Sequence, residues 1–139
     1  MQDSTSSVAD NKALVTAYLE AFSSGDVNRI GAYLHEDLRW WVTGTVPGIS
    51  GIYDKAATLN LLAQVTQVYK HGALQLTPST MIGEGQWLAV EAQSYAELHN
   101  GKIYNNFYHI SFELADGKII RMNEYMDTQH VYDTFIADG

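Results

Sequence analysis

The residues of this chain best suited to moving protons are His109 and Glu124, and the turn between them sets how they meet. Asp116-Gly117 is a dipeptide that two-residue hairpin turns favour, because both positions must take positive φ. Residues equidistant from such a turn face each other, which sets His109 opposite Glu124 on one face of the hairpin. A carboxylate beside an imidazole favours the protonated ring, while burial draws both groups toward neutrality, so the two make a workable acid/base pair. The plain alternative is a cross-strand ion pair on a solvated face, since structural pairs often imitate sites.

Strand parity extends the candidate site. Asn105 and Phe107 share a side with His109, and Asn106, Tyr108 and Ile110 share the other, which makes Asn105 and Phe107 substrate-binding candidates. One strand earlier, Glu91 has the parity to face a pocket with Gln93 and Tyr95. Glu91 is then a second carboxylate of the site or, equally, a strand-surface charge. Trp40 and Trp41 are adjacent on an extended run, so one points inward and the other out, with Trp41 counted among the substrate-binding candidates. Tyr18 lies on an apolar stripe, where it packs in the core or turns its hydroxyl toward a ligand carbonyl. His35, His71, His99 and His130 do not pair at metal-ligand spacing, and no nucleotide or zinc motif occurs. Nothing in the sequence calls for a metal or cofactor.

The elements that must position these residues are legible from caps and periodicity. Ser7 followed by Asp10 marks a helix start, and Leu14, Val15, Tyr18, Leu19 and Phe22 repeat at helical spacing. Ser24-Gly25-Asp26 closes that helix and caps a second, whose stripe runs Val27, Ile30, Tyr33, Leu34. Leu38–Thr43 is extended, the stretch with Pro47, Gly48 and Gly51 is a loop, and Asp54 caps a third helix to about Tyr69. Strands follow over 73–82, 86–98, 103–114 and 118–126, and Asp127-Thr128 caps a last helix through Phe135, with Asp127 as a cap rather than a catalyst. The order is ααβαββββα, an α+β pattern in which a curved sheet buries one face against helices. Residues 8–139 form the expected single domain, behind a disordered lead over 1–7.

Bulk properties exclude several functions. Sixteen acidic residues against eight Lys and Arg give a formal charge of −8, so nucleic acid would meet net repulsion. No apolar run approaches the ~20 residues that span a bilayer, and the first residues carry no signal-peptide pattern, which points to the cytoplasm and away from a membrane partner. With no cysteine, disulfides and thiolate chemistry are absent.

Four segments carry a family likeness: Ala17-Tyr18-Leu19-Glu20-Ala21-Phe22-Ser23-Ser24-Gly25-Asp26, then Leu34-His35-Glu36-Asp37-Leu38, then Asp116-Gly117-Lys118-Ile119 with Glu124-Tyr125-Met126-Asp127. Over about residues 9–135 the chain resembles the NTF2-like superfamily, and within it the SnoaL-like group of polyketide cyclases and limonene epoxide hydrolases. The resemblance implies a cone-shaped pocket, a homodimer formed through the exposed sheet face, and an acid/base pair at His109 and Glu124, with Glu where the cyclases carry Asp. The Arg-x-Asp of the limonene epoxide hydrolases is here Glu91-Ala92-Gln93, which argues against their route. Against ketosteroid isomerases, Tyr18 matches the oxyanion-hole tyrosine while the catalytic Asp falls near Val42, which cannot take a proton, so their mechanism does not transfer whole. The expected function is a cofactor-independent cyclase or isomerase acting on a small, mostly apolar oxygenated substrate such as a polyketide or terpenoid. The alternatives are an epoxide or lactone hydrolase using Glu124 and Glu91, and a non-catalytic binding or dimerisation module.

Overall fold

The computed structural model describes residues 6–137, and each of its α-helices opens where a side chain answers orphan backbone amides. Ser7 accepts from the Asp10 amide and starts α1 (Val8–Ser24). Asp26 accepts from Asn28 and Arg29 and starts α2 (Val27–Gly31), Asp54 caps α3 (Lys55–Val65), and Asp127 caps α4 (Thr128–Phe135). Of the lead expected over 1–7, only Ser6 and Ser7 fall within the described residues.

The strands are β1 (Leu34–Val42), β2 (Gly51–Tyr53), β3 (Gln75–Glu84), β4 (Trp87–Glu97), β5 (Ile103–Tyr104), β6 (Phe107–Ala115) and β7 (Lys118–Met126). They form one mixed sheet in the order β2-β1-β7-β6-β4-β3, with β5 beside β4. Among the described residues only the β1/β7 pairing is parallel. The helices and sheet make the expected α+β cone, with local differences. The stripe that predicts helix through Leu34 stops at Gly31, because the Tyr33 carbonyl accepts from Ile119 and Leu34 pairs with Ile119, drawing the chain into the sheet. The expected third helix ends at Val65 and passes into a 3-10 turn over Thr66–Val68, and the loop after Val42 contains β2.

Along β4 and β6 the apolar alternation runs Leu88, Val90, Ala92 and Ile110, Phe112, Leu114, and these side chains are buried. They meet Val15, Tyr18 and Leu19 of α1 in one core, as a half-buried sheet requires.

The β6/β7 hairpin decides the interior. Asp116 and Gly117 take φ of 56° and 72°, and Ala115 faces Lys118, as the Asp-Gly signal predicts. Leu114 then faces Ile119 but Glu113 faces Arg121, leaving Ile120 as an extra residue in β7. Beyond this bulge Glu124 lies across from Ile110, and His109 lies across from Tyr125. The expected His109/Glu124 pairing is therefore not formed. A slip of one residue exchanges the faces of a strand, and here it carries Glu124 inward while His109 stays outside.

At the α1/α2 corner Gly25 has φ of 74°, and a Cβ there would lie 2.2 Å from the Gly72 carbonyl oxygen. Gly48 has nearly the same φ, 75°, with open space around it. Gly25→Ala is expected to cost at least ~2 kcal/mol and Gly48→Ala only ~1 kcal/mol in thermal unfolding, since both strain the backbone but only the first adds a clash.

Candidate active site

A cavity lies between the inner face of the sheet and the helices, with about 90 Å³ open to water-sized molecules. A single water needs only ~10–15 Å³, so the space suits a compact organic molecule. Tyr18 and Phe22 of α1, Leu62 of α3 and Val131 and Phe135 of α4 supply one wall; the sheet supplies the other, including Trp40, Tyr108 and Phe112. Among the described residues Glu124 is the only charged side chain lining it, and no Lys, Arg or His joins the lining.

β7 delivers Glu124 to the inner face. Its Oε1 accepts a hydrogen bond from the Trp40 indole Nε1 at 3.2 Å. Burial pushes its carboxyl up to about 7, partly opposed by that hydrogen bond, which favours the anion. Protein surrounds it deeply, yet it is not sealed, since the residue keeps partial accessibility where it borders the cavity.

Four tyrosines share this lining, Tyr18, Tyr69, Tyr104 and Tyr108. Burial raises all four phenols, Tyr104 to about 12, and the nearby Glu124 charge adds to each rise. All four stay protonated at neutral pH, so each keeps an O–H available to donate a hydrogen bond. Thr58 also borders the cavity, fully buried, and its Oγ1 has no partner among the described residues. Thr66, by contrast, bonds the carbonyl one turn back, Leu62, at 2.8 Å.

The sequence-derived candidates divide into two groups. Glu124 and Tyr18 line the cavity. His109, Glu91, Gln93, Tyr95, Asn105 and Phe107 are exposed, with Glu91 directly across from His109 and Gln93 across from Phe107. They lie outside the cone because the apolar residues between them occupy its interior. Trp41 also lies outside, edge-on to Tyr125 at 5.2 Å, and Trp40 is the tryptophan that faces in. Trp40, Tyr69, Tyr104 and Tyr108 were not among the candidates. The alternation Tyr108, Ile110, Phe112, Leu114 is the signal that marks the inward side of β6. Among the described residues no group of three His, Asp or Glu side chains gathers as a metal site, and no helix is long and apolar enough to cross a membrane.

A family model described as a SnoaL-like domain matches residues 15–122. No curated protein matches the chain. Among solved structures, TerC co-crystallised with polyporic acid is 24% identical with a TM-score of 0.78, over 89% of this chain and 96% of that one. IdmH from Streptomyces antibioticus, a proposed polyketide cyclase, is 14% identical with a TM-score of 0.74, over 88% and 96%. An LEH-like epoxide hydrolase from M. tuberculosis is 19% identical with a TM-score of 0.71, over 90% and 88%. At these identities the likeness extends to the fold and not to the reaction.

The raised carboxyl has a consequence for stability. Between its usual value of 4.5 and about 7, the folded protein holds a proton that the unfolded chain has released. Folding carries no penalty below that window, loses stability as pH rises through it, and bears the full cost above, on the order of 3 kcal/mol at most. Glu124→Gln, which keeps an acceptor for Trp40, is expected to be more stable than wild type at pH 8 in urea unfolding. The difference should shrink toward pH 5, and a pH-independent difference would contradict this assignment.

Proposed function

Because the chain belongs to the SnoaL-like family, we propose that it is a cofactor-independent cyclase or isomerase in which Glu124 is the acid/base group. The substrate is a small, mostly apolar molecule bearing a carbonyl, of polyketide or terpenoid type. The observation that carries this reading is a lone carboxyl inside an aromatic cavity with no cation among the described lining residues, where burial pushes it up to about 7. A general acid/base works best when its pKa lies near the working pH, since it must both take and return a proton. As carboxylate, Glu124 removes a proton from the carbon beside the carbonyl; as acid, it delivers that proton to another carbon or to oxygen. The absence of any cationic side chain from the lining disfavours carboxylate or phosphate substrates.

The hydrolytic alternative asked for Glu91 as a second carboxylate, and Glu91 lies across from His109 on the exposed face. A single-carboxyl proton shuttle fits better than a two-carboxyl water activation. TerC, which shares this fold, is co-crystallised with polyporic acid, which supports a small-molecule ligand for the cavity.

Exposed Phe107, Tyr95 and Tyr125 on the outer face of the sheet support a homodimer through that surface. Phe107 alone is 72% exposed, an unusual state for so large an apolar side chain.

Glu124→Gln is expected to lower turnover at least ~100-fold on any carbonyl substrate the protein accepts, while His109→Ala keeps it within ~3-fold. Comparable losses in both variants, or none in Glu124→Gln, would overturn the assignment. Light scattering should give twice the chain mass for wild type and one chain mass for the double variant Phe107→Lys, Tyr95→Lys, with cavity-ligand binding retained.

A further inference from the structure

Asn106 is a buried amide whose hydrogen-bonding capacity is fully used. Its Oδ1 accepts from the backbone amides of Phe107 at 2.8 Å and Asp127 at 3.1 Å. Its Nδ2 donates to the Asp127 carbonyl at 3.0 Å and to the Tyr104 hydroxyl at 3.1 Å. Two backbone donors on one end identify that end as oxygen, so the other end must be the donor and the Tyr104 oxygen the acceptor. The Tyr104 hydroxyl is in turn hydrogen-bonded to the Tyr108 hydroxyl. Each hydrogen bond accepted makes a hydroxyl a better donor, which favours the order Asn106 to Tyr104 to Tyr108. In that order the Tyr108 proton is left without a protein partner among the described residues, on a side chain that lines the cavity.

Tyr108 also stands in the right relation to the carboxyl. Ile110 faces Glu124, and Tyr108 is two residues away on the same inner face of β6, across from Met126. The α-carbons of diagonal neighbours of this kind lie roughly 7–8 Å apart, and both side chains line the same cavity, where one small carbonyl compound can meet them.

We propose that Asn106, Tyr104 and Tyr108 form a one-way donor relay whose last phenol holds the carbonyl oxygen of the ligand while Glu124 handles the carbon-bound proton. Resting on the acid/base reading above, the step balances as follows. The Glu124 carboxylate takes the proton from carbon, the C–H electron pair becomes the enolate double bond, and the carbonyl oxygen collects the negative charge. Tyr108 donates a hydrogen bond to that oxygen and keeps its own proton. When Glu124 returns its proton to the substrate, the charge on oxygen is discharged. Tyr108 is the contacting donor; Tyr104 and Asn106 are positioning residues. Asn106 has a second effect, because its bonds to Asp127 fix the start of α4, whose Val131 and Phe135 wall the same cavity.

The test uses 1-tetralone, an acceptor-only bicyclic ketone, and tetralin, the same rings without oxygen. Binding of both and the infrared carbonyl band of bound 1-tetralone are measured in wild type, Tyr108→Phe and Tyr104→Phe, and repeated in a Glu124→Gln background. Wild type should prefer the ketone and lower its carbonyl frequency. Tyr108→Phe should lose at least ~10-fold of that preference and the whole frequency shift. Tyr104→Phe, which leaves the Tyr108 hydroxyl in place, should lose part of the shift. Tetralin affinity should hold in every variant, which reports an intact cavity. The relay is overturned by equal losses for ketone and tetralin, by an unchanged band in Tyr104→Phe, or by no ketone preference in wild type. Persistence of the pattern in the Glu124→Gln background keeps this result separate from the acid/base assignment, which stands or falls on turnover.

Discussion

A β-strand sends successive side chains to opposite faces, so one unpaired residue fixes the contents of everything beyond it. Ile120 is that residue in β7. Without it, the tight Asp116-Gly117 turn would send Glu124 to the outer face beside His109. With it, Met122 and Glu124 border the cavity, and the polar residues His109, Glu91 and Gln93 are left on the other side of the sheet. The cone therefore contains one carboxyl and a set of phenols where an acid/base pair of two residues was expected. Chemistry in this cavity then has one proton-transfer group and several fixed donors to work with.

That carboxyl is held at an energetic cost. Among the described residues no cation lines the cavity beside it, and a single indole hydrogen bond is what the protein supplies to its anion. The outcome of such burial is a group poised between its two protonation states near neutral pH. The surrounding tyrosines do not compete for the proton, because the same burial drives their phenols further toward the neutral form. One environment thus separates two roles: the carboxyl exchanges a proton, and the phenols donate hydrogen bonds without releasing theirs. The orphan hydroxyl of Thr58 is a further polar group in a wall that is otherwise largely apolar.

Much of the fold was legible because its signals are local. Ser7, Asp26, Asp54 and Asp127 each cap the helix that their sequence context predicts, and Asp116-Gly117 forms the tight turn expected of it. The site was less legible because it depends on register, which is set between strands. β7 pairs in parallel with β1 and antiparallel with β6, and a count from the turn does not reveal the extra residue Ile120. Part of the outcome was nevertheless written in the chain. Ile110, Phe112 and Leu114 mark the buried parity of β6, and Leu88, Val90 and Ala92 mark that of β4, which already assigns His109 and Glu91 to the outside. Apolar alternation is the stronger guide where it conflicts with distance from a turn. Trp40 and Trp41 illustrate the remaining ambiguity, since two adjacent indoles give alternation nothing to distinguish.

The central claim is that one inward carboxyl titrates near neutrality, and carbon NMR of selectively labelled glutamate tests it most directly. The Glu124 side-chain carboxyl resonance, assigned by its absence in Glu124→Gln, should titrate with a midpoint near 7, well above the ordinary glutamate value of 4.5. A Glu124 midpoint at or below 4.5 would contradict the account, because a carboxyl fully ionised through the neutral range has no proton to return.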